Sequence, residues 1–393
     1  MSEIQQSYDL LMNWCSAEDF SGYDPFDGLN SRLFRATPLV RSRVARLAWT
    51  QFFKRSPLNF RRLVGVPRER NPKGSALFAL AKLSDFQRTD RDEDAQTARA
   101  LLDDLVKVQL TRFHGAAWGY NFDWQGRAFF APKGTATIVP TAFAVRALLR
   151  GAEVLTEPAY LATAKSAGEF ILNDLKRTVE TEDEVCFSYS PLDQTRVYNA
   201  SLLAAEGLAA VSQLAGDREY AEIALAAARY VVRRQRQDGS WTYGADDYQG
   251  WADNFHTAFI LSSLWRIMRA SPGGADEFRP ALRKGYDFWR ERFFLANGWP
   301  KYFPDRLYPV DAHSAGAAIA TFVDLRELDE TALPMAKIIA HWAIDNLQSP
   351  HGYFYYQRHR FYTNRIPYMR WSHAWMAYAL AKLIGSGQLT VAR

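Results

Sequence analysis

Asn199-Ala-Ser-Leu-Leu-Ala-Ala-Glu-Gly-Leu-Ala-Ala-Val211 carries one charge, Glu206, in a run otherwise built from small and aliphatic residues. A helix that is apolar nearly all round and rich in Ala, Gly and Ser is one buried on every side. Upstream stand Phe187-Ser-Tyr189 and a polar loop; downstream come a short polar turn, Ala215-Gly-Asp-Arg-Glu219, and an amphipathic stretch over Arg218–Arg236. The same order recurs along the chain. Trp118-Gly-Tyr120 precedes an apolar helix from about Thr141, Trp241-Thr-Tyr243 one from His256, Trp299 to Tyr302 one from His313, and Tyr353-Phe-Tyr355 one from His373. Lys73 to Leu83 fits a sixth copy at the front, and the starts fall roughly 60 residues apart, the length of a helical pair with its loop.

Between these buried helices lie amphipathic ones at about Asp92–Phe113, Ala159–Lys176, Arg218–Arg236, Ala275–Phe293 and Thr331–Leu347, with an earlier one, Ser31–Arg55, expected to pair with the first inner helix. Six buried helices alternating with six half-polar ones predict an all-α (α/α)6 toroid. One domain spans 1–393, with an N-terminal helix and loop, 1–30, packed on it. The connections into the buried helices run to ten or more residues and hold most of the Trp and Tyr. Long loops on a compact scaffold are where function concentrates. The buried-helix N-termini converge at that end, and their partial positive charge favours an anion. Arg127, Lys133, Arg196, Lys301, Arg306, Arg358, Arg360, Arg365 and Arg370 are expected in the same funnel.

Composition narrows the function. Of 393 residues, 48% are hydrophobic and 14% aromatic, with 12 Trp and 19 Tyr, more indole and phenol than a core needs. The net charge of +5 comes without a basic run or a nucleic-acid reader motif, so no nucleic-acid partner is expected. Cys15 and Cys186 lack metal-ligand spacing. The first residues form no secretory leader and no stretch is long enough to span a bilayer, which predicts a cytoplasmic protein.

Thr141, Asn199, His256, His313 and His373 fall at one equivalent place, the first turn of a buried helix, and three of the seven histidines sit there. A helix N-terminus disfavours the imidazolium, so such histidines suit proton transfer. Asp247 and Asp253 precede His256, and Asp311 precedes His313. Paired carboxylates are what glycoside hydrolysis requires, although Asp also caps helices. Trp118, Tyr120, Trp124, Trp241, Tyr243, Trp251, Trp299, Tyr302, Tyr353, Tyr355, Tyr356 and Trp371 offer rings on which sugars stack. No metal or cofactor motif is present.

These features make the chain resemble the six-hairpin toroid enzymes: glycosidases, polysaccharide lyases and sugar epimerases. Gly22-Tyr-Asp-Pro-Phe-Asp-Gly-Leu-Asn-Ser31 with Arg365-Ile-Pro-Tyr-Met-Arg-Trp-Ser-His-Ala-Trp375 resembles cytoplasmic proteins of bacterial exopolysaccharide and lipopolysaccharide gene clusters. Trp251-Ala-Asp-Asn-Phe-His-Thr257 is similar to a step in glucuronyl C5-epimerases, with a longer spacing, and Gln235-Arg-Gln-Asp-Gly-Ser-Trp241 is similar to the repeat of terpenoid cyclases and prenyltransferase-like toroids. The resemblance implies an enzyme abstracting the C5 proton of an acidic saccharide, an epimerase or lyase. His256, His313 or His373 with Tyr355 would move the proton, and Trp118, Tyr120, Asn199, Trp241, Tyr243, Trp299, Tyr302, Arg365 and Arg370 would bind the sugar. The alternatives are a glycoside hydrolase using two of Asp247, Asp253 and Asp311, a non-catalytic glycan-binding subunit, and an isoprenoid enzyme.

Overall fold

The computed structural model describes residues 2–126, 129–271 and 273–387. Among them the helices are α1 (Glu3–Ala17), α2 (Arg32–Arg35), α3 (Arg43–Arg55), α4 (Pro72–Thr89), α5 (Asp92–Lys107), α6 (Ile138–Leu155), α7 (Pro158–Asn173), α8 (Tyr198–Ala215), α9 (Arg218–Val232), α10 (Asn254–Ala270), α11 (Arg279–Phe293), α12 (Ala312–Asp324), α13 (Ala332–Leu347) and α14 (Ala374–Ser386). The even-numbered helices from α4 to α14 form the inner ring: each packs on the next, and α14 returns to α4. The odd-numbered ones from α5 to α13 each lie outside the helix before them. This is the (α/α)6 toroid expected from the repeat.

Small residues set the spacing of the ring. A Cβ on Gly316 of α12 would stand 3.0 Å from the backbone of Trp375, so the two inner helices meet nearly backbone to backbone. Short hairpins cap the end where the inner helices begin. Trp124–Gln125 pairs with Phe130–Ala131, and Arg177–Glu180 with Val185–Phe187. Val310–Asp311, Gln357–Arg358 and Thr363–Asn364 form an antiparallel three-stranded sheet, with Asp311 opposite Gln357 and Gln357 opposite Asn364.

One expectation fails. Ser31–Arg55 is not the sixth outer helix; α1 is. The Tyr8, Leu11, Met12 and Cys15 face of α1 is buried, Trp14 packs edge-on to His373 at 4.7 Å, and Gln348 Nε2 donates to the Ser7 carbonyl at 3.0 Å. Ser31–Arg55 breaks because Pro38, which has no N–H to give a helix, opens a 3-10 turn and Ser42 then caps a new helix through the Ala45 N–H. Residues 20–71 instead form a strap at the mouth of the ring. Two buried ion pairs fasten it: Arg370 grips Asp24 through two nitrogens at 2.6 and 2.8 Å, and Arg61 meets Asp27 at 2.5 Å. Cys15 and Cys186 are buried free thiols, and no helix among the described residues is long and apolar enough to cross a membrane.

Candidate active site

Hydrogen bonds at the mouth fix the true register of the repeat. The first N–H of one inner helix donates to the carbonyl of a tyrosine in the next loop: Ile138 to Tyr189, Tyr198 to Tyr243, Asn254 to Tyr302, Ala312 to Tyr356, and, around the ring, Met369 to Tyr23, all at 3.0 to 3.2 Å. Pro72 has no N–H to offer Tyr120. The residues before these helices are Asn71, Thr137, Val197, Asp253, Asp311 and Tyr368. Two positions further on, the ring of equivalent side chains is Lys73, Val139, Asn199, Phe255, His313 and Arg370.

The three histidines are therefore not in register. Only His313 shares its level with Asn199; His256 lies one residue deeper and Thr141 two. His373 follows a five-residue π-helical turn, Met369–His373, and turns outward, where Nε2–H donates to the Phe354 carbonyl at 3.1 Å. Burial holds its imidazole down to about 3. The expected place of His373 in the funnel is thus corrected: it packs inner helix against outer.

His256 and His313 do come together. Their rings flank Phe255, with centroids 4.0 and 4.6 Å from it. Asp253 caps α10 through the His256 N–H and also accepts from His256 Nδ1 at 2.7 Å, which leaves Nε2 with the lone pair. Trp251 Nε1 donates to the same carboxylate at 3.1 Å. His313 is 1% exposed, and neither of its ring nitrogens has a hydrogen-bond partner among the described residues. Burial, then Lys73, Arg370 and His256, push its imidazole well below the usual range, so it is neutral. Asn199 Oδ1, Ser314 Oγ and Tyr356 Oη are likewise buried and unpartnered. Such atoms are costly unless something completes them.

Asp311 is fully buried and accepts from Gln357 Nε2 at 2.7 Å, Trp371 Nε1 at 2.9 Å and the His313 N–H at 2.8 Å. Burial, opposed by these donors, pushes its carboxyl up to about 6. Tyr302 feels both Asp253 and Asp311, and its hydroxyl is raised well above the usual value by burial first and these carboxylates second. Lys54 of α3 reaches down from the strap into the field of Asp311 and Asp253, over the ring of Phe26 at 4.7 Å, and burial lowers it. Lys73 lies over the rings of Phe143, Phe259 and Trp375 at 4.6 to 5.1 Å and is pushed well down, by burial first and by Arg370 next.

The aromatic steps resolve into two roles. The first ring enters the wall: Trp118 and Trp241 are buried, and their indole N–H groups donate to the Leu105 and Val231 carbonyls at 2.8 and 2.9 Å. Neither can stack on a sugar, which corrects the expectation for both. The second ring lines the mouth: Tyr120 and Tyr189 meet through their hydroxyls at 3.1 Å, and Tyr243 stacks on Trp251 at 4.8 Å and 11°. In the last two repeats the equivalent pairs are Pro300 with Tyr302 and Phe354 with Tyr356. Trp299 packs instead on Trp342 of α13, and Tyr355 lies under Arg365 on the outside, so those three expected site residues leave the funnel.

Other expected cations are engaged elsewhere. Arg370 is bound to Asp24, Arg196 to Asp246, Lys133 to Glu69 and Arg306 to Asp305. Lys301 donates to the Pro304 carbonyl and Arg358 to Asn346. Asp247 is exposed on a 3-10 turn, and Arg127 lies outside the described residues. Sequence reasoning passed over Lys73, Lys54 and Asp24. Lys73 heads the first inner helix and was detectable as the register mate of His313; the other two belong to the strap. Among the described residues, no cluster of His, Cys, Asp and Glu could hold a metal ion.

In sequence, no family model and no curated protein matches the chain. In structure it is similar to a sugar epimerase from a ruminal bacterium, with a TM-score of 0.65 over 97% of this chain and 98% of that one at 12% identity. It is similar to the cellobiose 2-epimerase of Bacillus thermoamylovorans, TM-score 0.62 over 80% of this chain and 88% of that one at 12% identity. It is also similar to an unsaturated glucuronyl hydrolase specific for heparin, TM-score 0.62 over 99% and 96% at 12% identity. At such identity the likeness establishes the fold: the chain has the (α/α)6 toroid on which sugar epimerases and glycoside hydrolases are built.

Proposed function

We propose that the funnel is the active site of a carbohydrate-active enzyme that moves a proton at a sugar carbon, with an acidic saccharide as substrate. The observation that carries this reading is the pair of imidazoles on Phe255, one oriented by Asp253 and the other buried, neutral and without a partner among the described residues. His256 Nε2 removes the proton beside a carbonyl or carboxylate, and the electron pair moves onto that group's oxygen. Return of a proton from the other side, by the phenol of Tyr302, gives the epimer, with neutral His313 hydrogen-bonding the sugar; loss of a β-substituent instead gives the unsaturated lyase product. Tyr243 and Trp251 provide the platform for the ring of the sugar. Lys54 and Lys73, neither of which closes an ion pair with a carboxylate among the described residues, favour an acidic group on it.

The hydrolase reading is weaker. Asp253 and Asp311 are both buried and hold helix caps, ring N–H groups and an amide, so neither is free to protonate a glycosidic oxygen. The test is incubation in deuterated buffer with a panel of reducing sugars and uronates, read by mass spectrometry and by the ultraviolet absorbance of an unsaturated uronate. Deuterium uptake that disappears in His256→Asn and His313→Asn is expected. Cleavage without uptake would restore the hydrolase, and binding without either would make the funnel a glycan receptor.

A further inference from the structure

From Gly28 to Arg68 the sequence holds nine Arg and one Lys and no Asp or Glu. The whole chain is only +5, so the rest of it is net acidic. This segment is also where apolar side chains stand in the open. Leu33, Leu39, Val44, Phe52, Leu58 and Leu63 are all exposed, Val44 by 75% and Leu63 by 81%. Scattered exposed leucines are ordinary; six within thirty-one residues of unbroken positive charge are a patch.

The fold explains why they face outward. On α3 the buried side carries Thr50 and Phe53, with Trp49 donating to the Gly28 carbonyl at 2.9 Å. The opposite side carries Val44, Ala48 and Phe52 at four-residue spacing, flanked by Arg41 and Arg55. The Leu33 N–H donates to the Val64 carbonyl, which sets Leu33 beside the Leu63 segment. The tip of the neighbouring hairpin adds Phe361, 88% exposed, between Arg360 and Tyr362, and is tied to the strap by Asn364 Nδ2 donating to the Ser56 carbonyl at 3.0 Å.

We infer that the strap is a docking surface for an anionic phospholipid membrane, and that it holds the mouth of the funnel against the lipid surface. Arginines around an apolar stripe match both halves of a bilayer interface: guanidinium groups meet phosphates while Leu, Val and Phe enter the acyl boundary. Arg35, Arg61, Arg68 and Arg370 are not counted in this surface, because Asp123, Asp27, Glu18 and Asp24 already pair with them. A saccharide taken by this funnel is then one presented at a membrane, on a lipid or beside one. The inference stands whether or not the proton-transfer reading does, since it concerns the outside of the strap.

The test is flotation of the full chain with vesicles of phosphatidylcholine alone and of phosphatidylcholine mixed with phosphatidylglycerol. Flotation with the mixed vesicles only, reversed by salt, is expected. Combined Arg41→Gln, Arg55→Gln and Arg62→Gln should weaken it by about a hundredfold, and combined Val44→Ser, Phe52→Ser and Leu63→Ser should abolish it. Hydrogen exchange of the unaltered protein, with and without vesicles, should show protection confined to the strap and the 360–362 tip, and this arm needs no variant to fold. The inference is overturned if mixed vesicles do not float the protein, if both variants float as well as the parent, or if protection falls elsewhere. Self-association abolished by the serine substitutions, with no vesicle binding, would assign the patch to a second copy of the chain.

Discussion

The two ends of the inner ring are made by the same six helices and differ in how far their polar atoms are satisfied. At the far end, Glu206 accepts from Arg146 at 2.6 Å, from Arg266 at 3.4 Å and from Ser263 at 2.9 Å, while Asp324 takes Arg266 at 2.7 Å and Lys382. A cavity of only about 10 Å³ separates this network from Phe143, Phe259 and Trp375, room for a single water. At the mouth, His313, Asn199, Ser314 and Tyr356 hold buried atoms that find no hydrogen-bond partner among the described residues. At the far end the charges are paired and hold the ring together, and Trp375 Nε1 on the cavity wall is the polar atom left without a partner among the described residues. The mouth is incomplete, as a preorganised binding site is before its ligand arrives.

The contrast breaks first at Glu206. Glu206→Ala leaves two half-buried guanidinium groups without their shared partner, although Arg266 keeps Asp324, and should lower stability by about 3 kcal/mol in denaturant titrations, with the remaining sugar chemistry unchanged in the fraction still folded. An equal loss of activity per folded molecule would mean that the far end is not merely structural. At the mouth the signs should separate. His313→Phe removes two unsatisfied nitrogens from an aromatic pocket and should raise stability by about 1 kcal/mol, while lowering deuterium exchange by about a hundredfold or more.

Proton linkage gives a smaller effect. The imidazole of His373, held at about 3, titrates near 6.5 when the chain unfolds. Its folded value is depressed, so its contribution is present above pH 6.5 and is lost as pH falls toward 3. Between pH 7 and pH 5 that loss is about 2 kcal/mol, and His373→Gln should remove that share of the acid limb while leaving the share of the equally buried His313. A variant with the parent's acid limb would place the titration on another group. The smallest effect is expected outside the ring: Arg365→Ala and Tyr355→Phe should shift stability by no more than about 0.5 kcal/mol and leave turnover unchanged. A large loss of turnover in either would return them to the site.

The toroid was legible because burial dictates composition: the Ala-rich run from Asn199 to Val211 has no other reading, and even its single charge proved to be the hub of the far-end network. The register was not legible to the residue. Tyr353-Phe-Tyr-Tyr356 offers two aromatic steps, and only the pairing of Gln357 with Asp311 decides that Phe354 and Tyr356 face inward. The π-helical turn before α14 carried His373 out of the alignment with no mark in the sequence. The strap was misread for a physical reason. Val44, Ala48 and Phe52 repeat as a core-facing stripe does, and periodicity cannot tell a face turned to a core from one turned outward.

The meeting of α1 with α14 has a further consequence, for assembly. The contact of Gln348 with Ser7 spans 341 positions of the chain, so the first helix emerges during synthesis long before the C-terminal part of the surface it covers exists. Until α14 is made, the Leu11, Met12 and Cys15 face lacks the wall that closes over it, with only the Tyr8 hydroxyl already able to donate to Asp85 of α4, and closing so long a loop is slow. The newborn chain is thus an open arc with two sticky edges, exposed to capture by chaperones or by another arc of its own kind until the circle shuts.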